Sequence, residues 1–200
     1  TDTHFDLAAT TLNTSVTGLA VIENLQLTSA TGASLLGNTL SNSIKGNSGN
    51  DTLEGRDNST LGGDTLNGGD GNDLYIVDST TDYITDSSGE DTVLTSVSFD
   101  LSNSLVGGAT AIENLTFTLS SGSTLTGNAA ANSIRGGTGS GADLMIGGKG
   151  NDTYFVGVNV NALTAIPACG GSLRKNRRVF APSLSVSLTG SVSIHCPEVK

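Results

Sequence analysis

Seven aspartates in this 200-residue chain each stand two residues before an apolar side chain. They are Asp51, Asp64, Asp73, Asp82, Asp91, Asp143 and Asp152, followed by Leu53, Leu66, Tyr75, Ile84, Val93, Met145 and Tyr154. From Asp64 the aspartates recur every nine residues to Asp100, where Ser102 ends the apolar series. Glycines gather just ahead of several of them, at Gly46 and Gly49, at Gly68, Gly69 and Gly71, and at Gly147, Gly148 and Gly150. Gly68–Ile76 and Gly147–Phe155 both spell G-G-x-G-x-D-x-U-x, with U apolar. Glycine tolerates positive φ and close backbone approach, so the first half of each unit reads as a tight turn with inward carbonyls. A carboxylate beside such carbonyls makes the hard, all-oxygen shell that calcium prefers. The candidate ligands are therefore the seven aspartates, with Asp70 and the turn residues Gly46, Gly49, Gly68, Gly69, Gly71, Gly147, Gly148 and Gly150.

Positioning such turns requires short strands. The x-U-x triplet after each aspartate is a three-residue strand with its middle side chain on one face. Two nonapeptides make one coil of eighteen residues, and successive coils stack at about 4.8 Å. The predicted fold is all-β, a parallel β-roll or β-solenoid built from nonapeptide half-coils, in which calcium replaces part of the apolar core. Same-side turns lie two units apart. Once residues 55–58 are set aside as an interruption, Asp51 should face Asp73, Asp64 should face Asp82, and Asp73 should face Asp91. Residues 37–45 form a degenerate unit with Asn42 at the aspartate position. Residues 77–85 hold no glycine and residues 86–94 only Gly89, which predicts plain β-coils there with weaker or absent calcium sites.

A larger repeat of 90 residues overlies the nonapeptides. Val21-Ile22-Glu23-Asn24-Leu25 returns as Ala111-Ile112-Glu113-Asn114-Leu115, and Asn42-Ser43-Ile44 as Asn132-Ser133-Ile134. Such periodicity points to a solenoid. The predicted organisation is β-coil strands over 1–36, a first calcium-type block over 37–104, a shorter second repeat over 105–157, and a divergent tail over 158–200. In the second repeat residues 127–135 are degenerate, 136–146 carry a two-residue insertion before Asp143, and 147–155 are complete. The tail holds a basic cluster, Arg174-Lys175-Asn176-Arg177-Arg178. A cap on the solenoid end, a change of reading frame, and a surface that docks on a neighbour's acidic body all account for it.

Composition narrows the function. The apolar fraction is 36% and the aromatic fraction 4%, with no Trp, so calcium-free chain is expected to approach a disordered polymer. Residues 1–159 carry a net charge of −14 and residues 160–200 a net of +4. The acidic body disfavours nucleic acid and opposes its own compaction until a cation binds. No apolar run is long enough to span a membrane. The chain opens at Thr1 without a signal peptide, which reads as a processed product or a fragment. Cys169 and Cys196 could form one disulfide, though spacing alone does not establish it. His4 and His195 are isolated, and neither a His-Glu-x-x-His nor a Gly-x-Ser-x-Gly motif occurs, so no catalytic group is expected.

The two complete nonapeptides and the 90-residue block resemble the RTX family of secreted bacterial calcium-binding proteins, over about residues 1–157. The likeness is strongest to the tandem arrays of large surface or exported members. It implies a parallel β-roll, an extracellular or cell-surface location, type I export, and folding on meeting external calcium. Carried over by position, it makes Asp51, Asp64, Asp73, Asp143 and Asp152 ligands. Asn42, Asn132 and the missing glycines after Ile76 depart from the pattern, and the C-terminus does not resemble the family's secretion signal. The expected function is a structural or adhesive calcium-binding solenoid. Its partners are calcium ions, with self-association or cell-surface polysaccharide beyond them. The alternatives are a non-catalytic module of a secreted protease, lipase or epimerase, and a protomer of an extracellular filament or surface layer. Affinity of about 10⁻⁴–10⁻³ M would suit an extracellular module.

Overall fold

The structure is a computed structural model that describes residues 6–10, 14–15, 22–56, 62–103, 106–107, 112–138, 141, 143–156 and 192–195. The basic cluster, both cysteines, His4 and part of the 55–58 interruption lie outside the described residues. The described residues hold eighteen strands and no helix. In chain order these are β1 (Asp6–Thr10), β2 (Thr14–Ser15), β3 (Ile22–Leu27), β4 (Ser34–Leu36), β5 (Ser43–Ser48) and β6 (Thr52–Glu54). Next come β7 (Thr65–Asp70), β8 (Leu74–Val77), β9 (Tyr83–Thr85), β10 (Thr92–Thr95), β11 (Phe99–Asp100) and β12 (Val106–Gly107). The last six are β13 (Asn114–Phe117), β14 (Thr124–Thr126), β15 (Ser133–Arg135), β16 (Leu144–Ile146), β17 (Thr153–Val156) and β18 (Val192–His195). No helix among the described residues is long and apolar enough to cross a membrane.

The chain divides into two compact units, Thr1–Leu94 with Ser104–Ala111, and Thr95–Asn103 with Ile112–Lys200. In the first, β1, β3, β5, β7, β9 and β12 form one parallel sheet, while β2, β4, β6 and β8 pair in parallel in another. Alternate strands thus enter alternate sheets, so each crossover between parallel neighbours is a turn plus one strand of the opposite sheet. Parallel pairing needs such a connection. The register repeats the sequence period: Leu35 pairs with Leu53 and Leu66 with Ile84, eighteen residues apart. Where residues 55–58 intervene, Ile44 pairs with Leu66 and Leu53 with Tyr75, four residues further on. The expected parallel β-roll is present, and the insertion leaves its phase intact.

In the second unit β13, β15 and β17 run parallel, as do β11, β14 and β16. Strand β18 joins β17 in antiparallel register, with Ile194 opposite Tyr154.

The core is two columns of strand-centre side chains. Leu35, Leu53, Leu66, Tyr75, Ile84 and Val93 are fully buried in the first unit, and Leu115, Leu125, Ile134, Met145 and Tyr154 in the second. Burying one such aliphatic side chain contributes about 1.5–3 kcal/mol. Residues two apart on a strand share a face, so each aspartate two positions before a core residue points inward as well. Asp51, Asp64, Asp73, Asp82, Asp91, Asp143 and Asp152 are all buried. The interior therefore sets a row of carboxylates beside its apolar side chains.

Candidate metal centre

Buried carboxylates are tolerated only when something compensates the charge. Each aspartate here obtains one partner from the coil before it. The Asp51 N–H donates to Asp73 Oδ1 (2.8 Å), the Asp64 N–H to Asp82 Oδ1 (3.0 Å), and the Asp73 N–H to Asp91 Oδ1 (2.7 Å). These are the three facing pairs required by the nine-residue phase. The ladder runs on upstream, from Ala33 N–H to Asp51 Oδ1 and from Asn42 N–H to Asp64 Oδ1. In the second unit Ser123 N–H donates to Asp143 Oδ1 (3.0 Å) and Asn132 N–H to Asp152 Oδ1 (2.9 Å).

One oxygen of each carboxylate is thus spoken for, and the second oxygens decide the chemistry. Asp51 Oδ2 accepts the Asn47 N–H, Asp82 Oδ2 the Ser79 N–H, and Asp143 Oδ2 the Gly137 N–H. Asp73 Oδ2 is buried with no hydrogen-bond donor.

The turn glycines make room for these oxygens. A Cβ on Gly68 would collide with the Asp73 carboxylate and the Tyr75 hydroxyl, and one on Gly147 with those of Asp152 and Tyr154. Gly46 stands in the same relation to Asp51. Gly71 has φ of +126° and its missing side chain would strike the Gly49 carbonyl of the coil before, so only glycine fits there. Gly49, Gly69, Gly148 and Gly150 share the positive φ. Asp70 lies apart: it is exposed, and its carboxylate accepts the Ser88 hydroxyl at 2.9 Å.

The degenerate units use another solution. Asn42 Oδ1 accepts the Asn38 N–H at 2.8 Å, while its Nδ2 donates to the Ile22 carbonyl (3.0 Å) and to Asn38 Oδ1 (3.3 Å). Asn38 Nδ2 donates to the same Ile22 carbonyl at 2.8 Å. The second repeat reproduces the network at Asn128 and Asn132, around the Ile112 carbonyl. An amide brings its own hydrogens to oxygens that a carboxylate could share only through a cation. Asparagine here closes the turn by itself.

Burial and neighbouring acids push several carboxyls upward. Asp73 rises from the ordinary 3.8 to about 6, chiefly through burial and then through Asp51 and Asp91, against the lowering Asp51 N–H bond. Burial likewise raises Asp51 and Asp91. The Tyr154 hydroxyl is pushed up to about 12 by burial and Asp152, and Tyr75 is raised by burial and Asp86.

Two groups gather three carboxylates, with one oxygen from each within 4.8 Å of the others: Asp64, Asp78 and Asp82, and Asp73, Asp86 and Asp91. Glycine spacing does not mark Asp78 and Asp86, because residues 77–94 hold only Gly89 and so predict plain β-coils with weaker or absent calcium sites. Their signal was positional, because both occupy glycine places of the nonapeptide frame. The Tyr75 hydroxyl, too, has a role beyond packing. It donates to Asp86 Oδ1 (2.6 Å) and accepts the Gly68 N–H (3.0 Å).

A family model for the RTX calcium-binding nonapeptide repeat matches in four copies, over residues 36–75, 58–84 and 120–154. These are RTX repeats. The RTX segments contain the glycine turns and most of the aspartate ladder, and calcium is the ion such repeats bind. The donor set fits calcium: hard carboxylate and carbonyl oxygens, turns cleared of side chains, and a buried carboxylate oxygen without a donor. No curated protein and no solved structure is significantly similar to the chain.

Proposed function

We propose that the chain is an extracellular calcium-dependent β-roll with a structural or adhesive role, and that calcium is what allows its acidic interior to fold. The observation that carries this is Asp73, buried, hydrogen-bonded through Oδ1, and left with a donorless Oδ2. In this reading Asp51, Asp64, Asp73, Asp82, Asp91, Asp143 and Asp152 are ligands, and carbonyls of turns such as 68–71 and 147–150 complete the shells. Calcium neutralises aspartates that otherwise repel one another, so binding free energy becomes folding free energy. The carboxylates are assigned to calcium and none to catalysis. The antiparallel pairing of β18 with β17 supports residues 158–200 as a cap that covers the last parallel edge. Small-angle scattering with and without calcium tests the proposal. Contraction from a coil-like to a compact radius on adding calcium is expected, and an unchanged radius would refute it.

A further inference from the structure

Beneath the aspartate of each complete unit stands a glycine five residues earlier: Gly68 under Asp73 and Gly147 under Asp152. Under Asp91 that place belongs to Asp86, beyond the segment 58–84 that matches the repeat family. The extra carboxylate is held by construction. Tyr75 donates its hydroxyl proton to Asp86 Oδ1 at 2.6 Å, and Tyr75 is itself fixed by the Gly68 N–H. Asp86 Oδ2 is buried and receives no hydrogen. Neither does Oδ2 of Asp73, a residue only 2% exposed. Asp73, Asp86 and Asp91 bring oxygens within 4.8 Å of one another; once all three are ionised they have no hydrogens to offer each other, and a cation is what satisfies them together.

We propose that Asp73, Asp86 and Asp91 form a three-carboxylate site for a hard di- or trivalent cation, in which Tyr75 positions Asp86. The inference rests on the calcium-dependent β-roll reading above and adds a ligand from a glycine place. Affinity of oxygen sites rises with ligand charge, so this site fills before the turns lined by carbonyls and two carboxylates. A trivalent lanthanide gains most from the third charge. Tyr75 touches Asp86, so terbium bound there lies next to a sensitising phenol.

The test is calorimetric calcium titration and tyrosine-excited terbium luminescence on the full chain, comparing parent, Asp86→Asn and, as a control at an exposed aspartate outside the turns, Asp100→Asn. Asp86→Asn keeps an acceptor for Tyr75. It is expected to weaken the tightest calcium step at least tenfold and to cut terbium emission at low ion ratio several-fold. The β-signal in saturating calcium should stay unchanged, and Asp100→Asn should match the parent. Asp86→Glu, which retains the carboxylate, should recover the tight step; a Glu variant as weak as the Asn variant would assign the loss to packing and overturn the proposal. If the parent binds calcium and Asp86→Asn binds identically, this site is overturned while the β-roll reading stands. If the parent binds no calcium, both fall.

Discussion

Replacing Asp73 by Asn should move the protein in opposite directions with and without calcium. The amide keeps an acceptor for the Asp51 N–H and places a donor where Oδ2 now faces other carboxylates. The Asp73 carboxyl is pushed from 3.8 to about 6. Holding it ionised near neutral pH therefore costs the calcium-free fold on the order of 1–3 kcal/mol, the upper figure being the full shift at 1.36 kcal/mol per pH unit and the lower allowing for solvent screening. Asp73→Asn should recover up to about 3 kcal/mol in chelator. With calcium it removes a ligand charge and should weaken binding at least tenfold, about 1.4 kcal/mol. The assay is urea unfolding followed by far-UV circular dichroism in chelator, with trimethylamine N-oxide added to populate the fold. Calorimetric calcium titration of the same proteins follows, with Asp100→Asn as the exposed control. A variant destabilised in chelator, or one with parental calcium affinity, would refute the reasoning.

Further outcomes follow from the same geometry. Asn42→Asp or Asn132→Asp replaces a donating amide by a carboxylate facing the Ile22 or Ile112 carbonyl, and should cost about 1–3 kcal/mol in chelator; urea midpoints measure it, and equality with the parent would remove the amide-lock account. Tyr75→Phe leaves the Gly68 N–H and Asp86 without the hydroxyl between them, so thermal melting in saturating calcium should show a loss of about 2 kcal/mol, or roughly 4–8 °C. In chelator the fold should be firmest in acid, because Asp73 and Asp86 are raised to about 6 and about 7. Their protonated forms stabilise the fold fully below about pH 3.8, and that stability is lost as pH rises through about 6 and about 7. A calcium-free stability that rises across that interval would contradict it.

Much of this architecture was legible in the chain because the period of a solenoid is written into its residues. Asp64, Asp73, Asp82 and Asp91, each two places before a buried apolar residue, carry both strand position and inward direction. The eighteen-residue register and the facing of Asp51 with Asp73 follow from counting alone. What counting missed was chemistry that depends on three-dimensional closure. Asn42 looks like a decayed aspartate until its Nδ2 is seen on the Ile22 carbonyl. Asp78 and Asp86 look like loop acids until a coil apart becomes a few ångströms. Asp70 shows the reverse, since it stands within a complete motif yet its side chain turns outward to Ser88.

The most direct measurement is a calcium titration of chelated protein by far-UV circular dichroism, with magnesium as the control ion. Magnesium demands a tight octahedral shell and sheds water reluctantly, whereas calcium accepts larger, irregular oxygen shells. A cooperative coil-to-β transition driven by calcium and not by magnesium is the predicted result. A spectrum already rich in β-structure in chelator, and unmoved by calcium, would contradict the account.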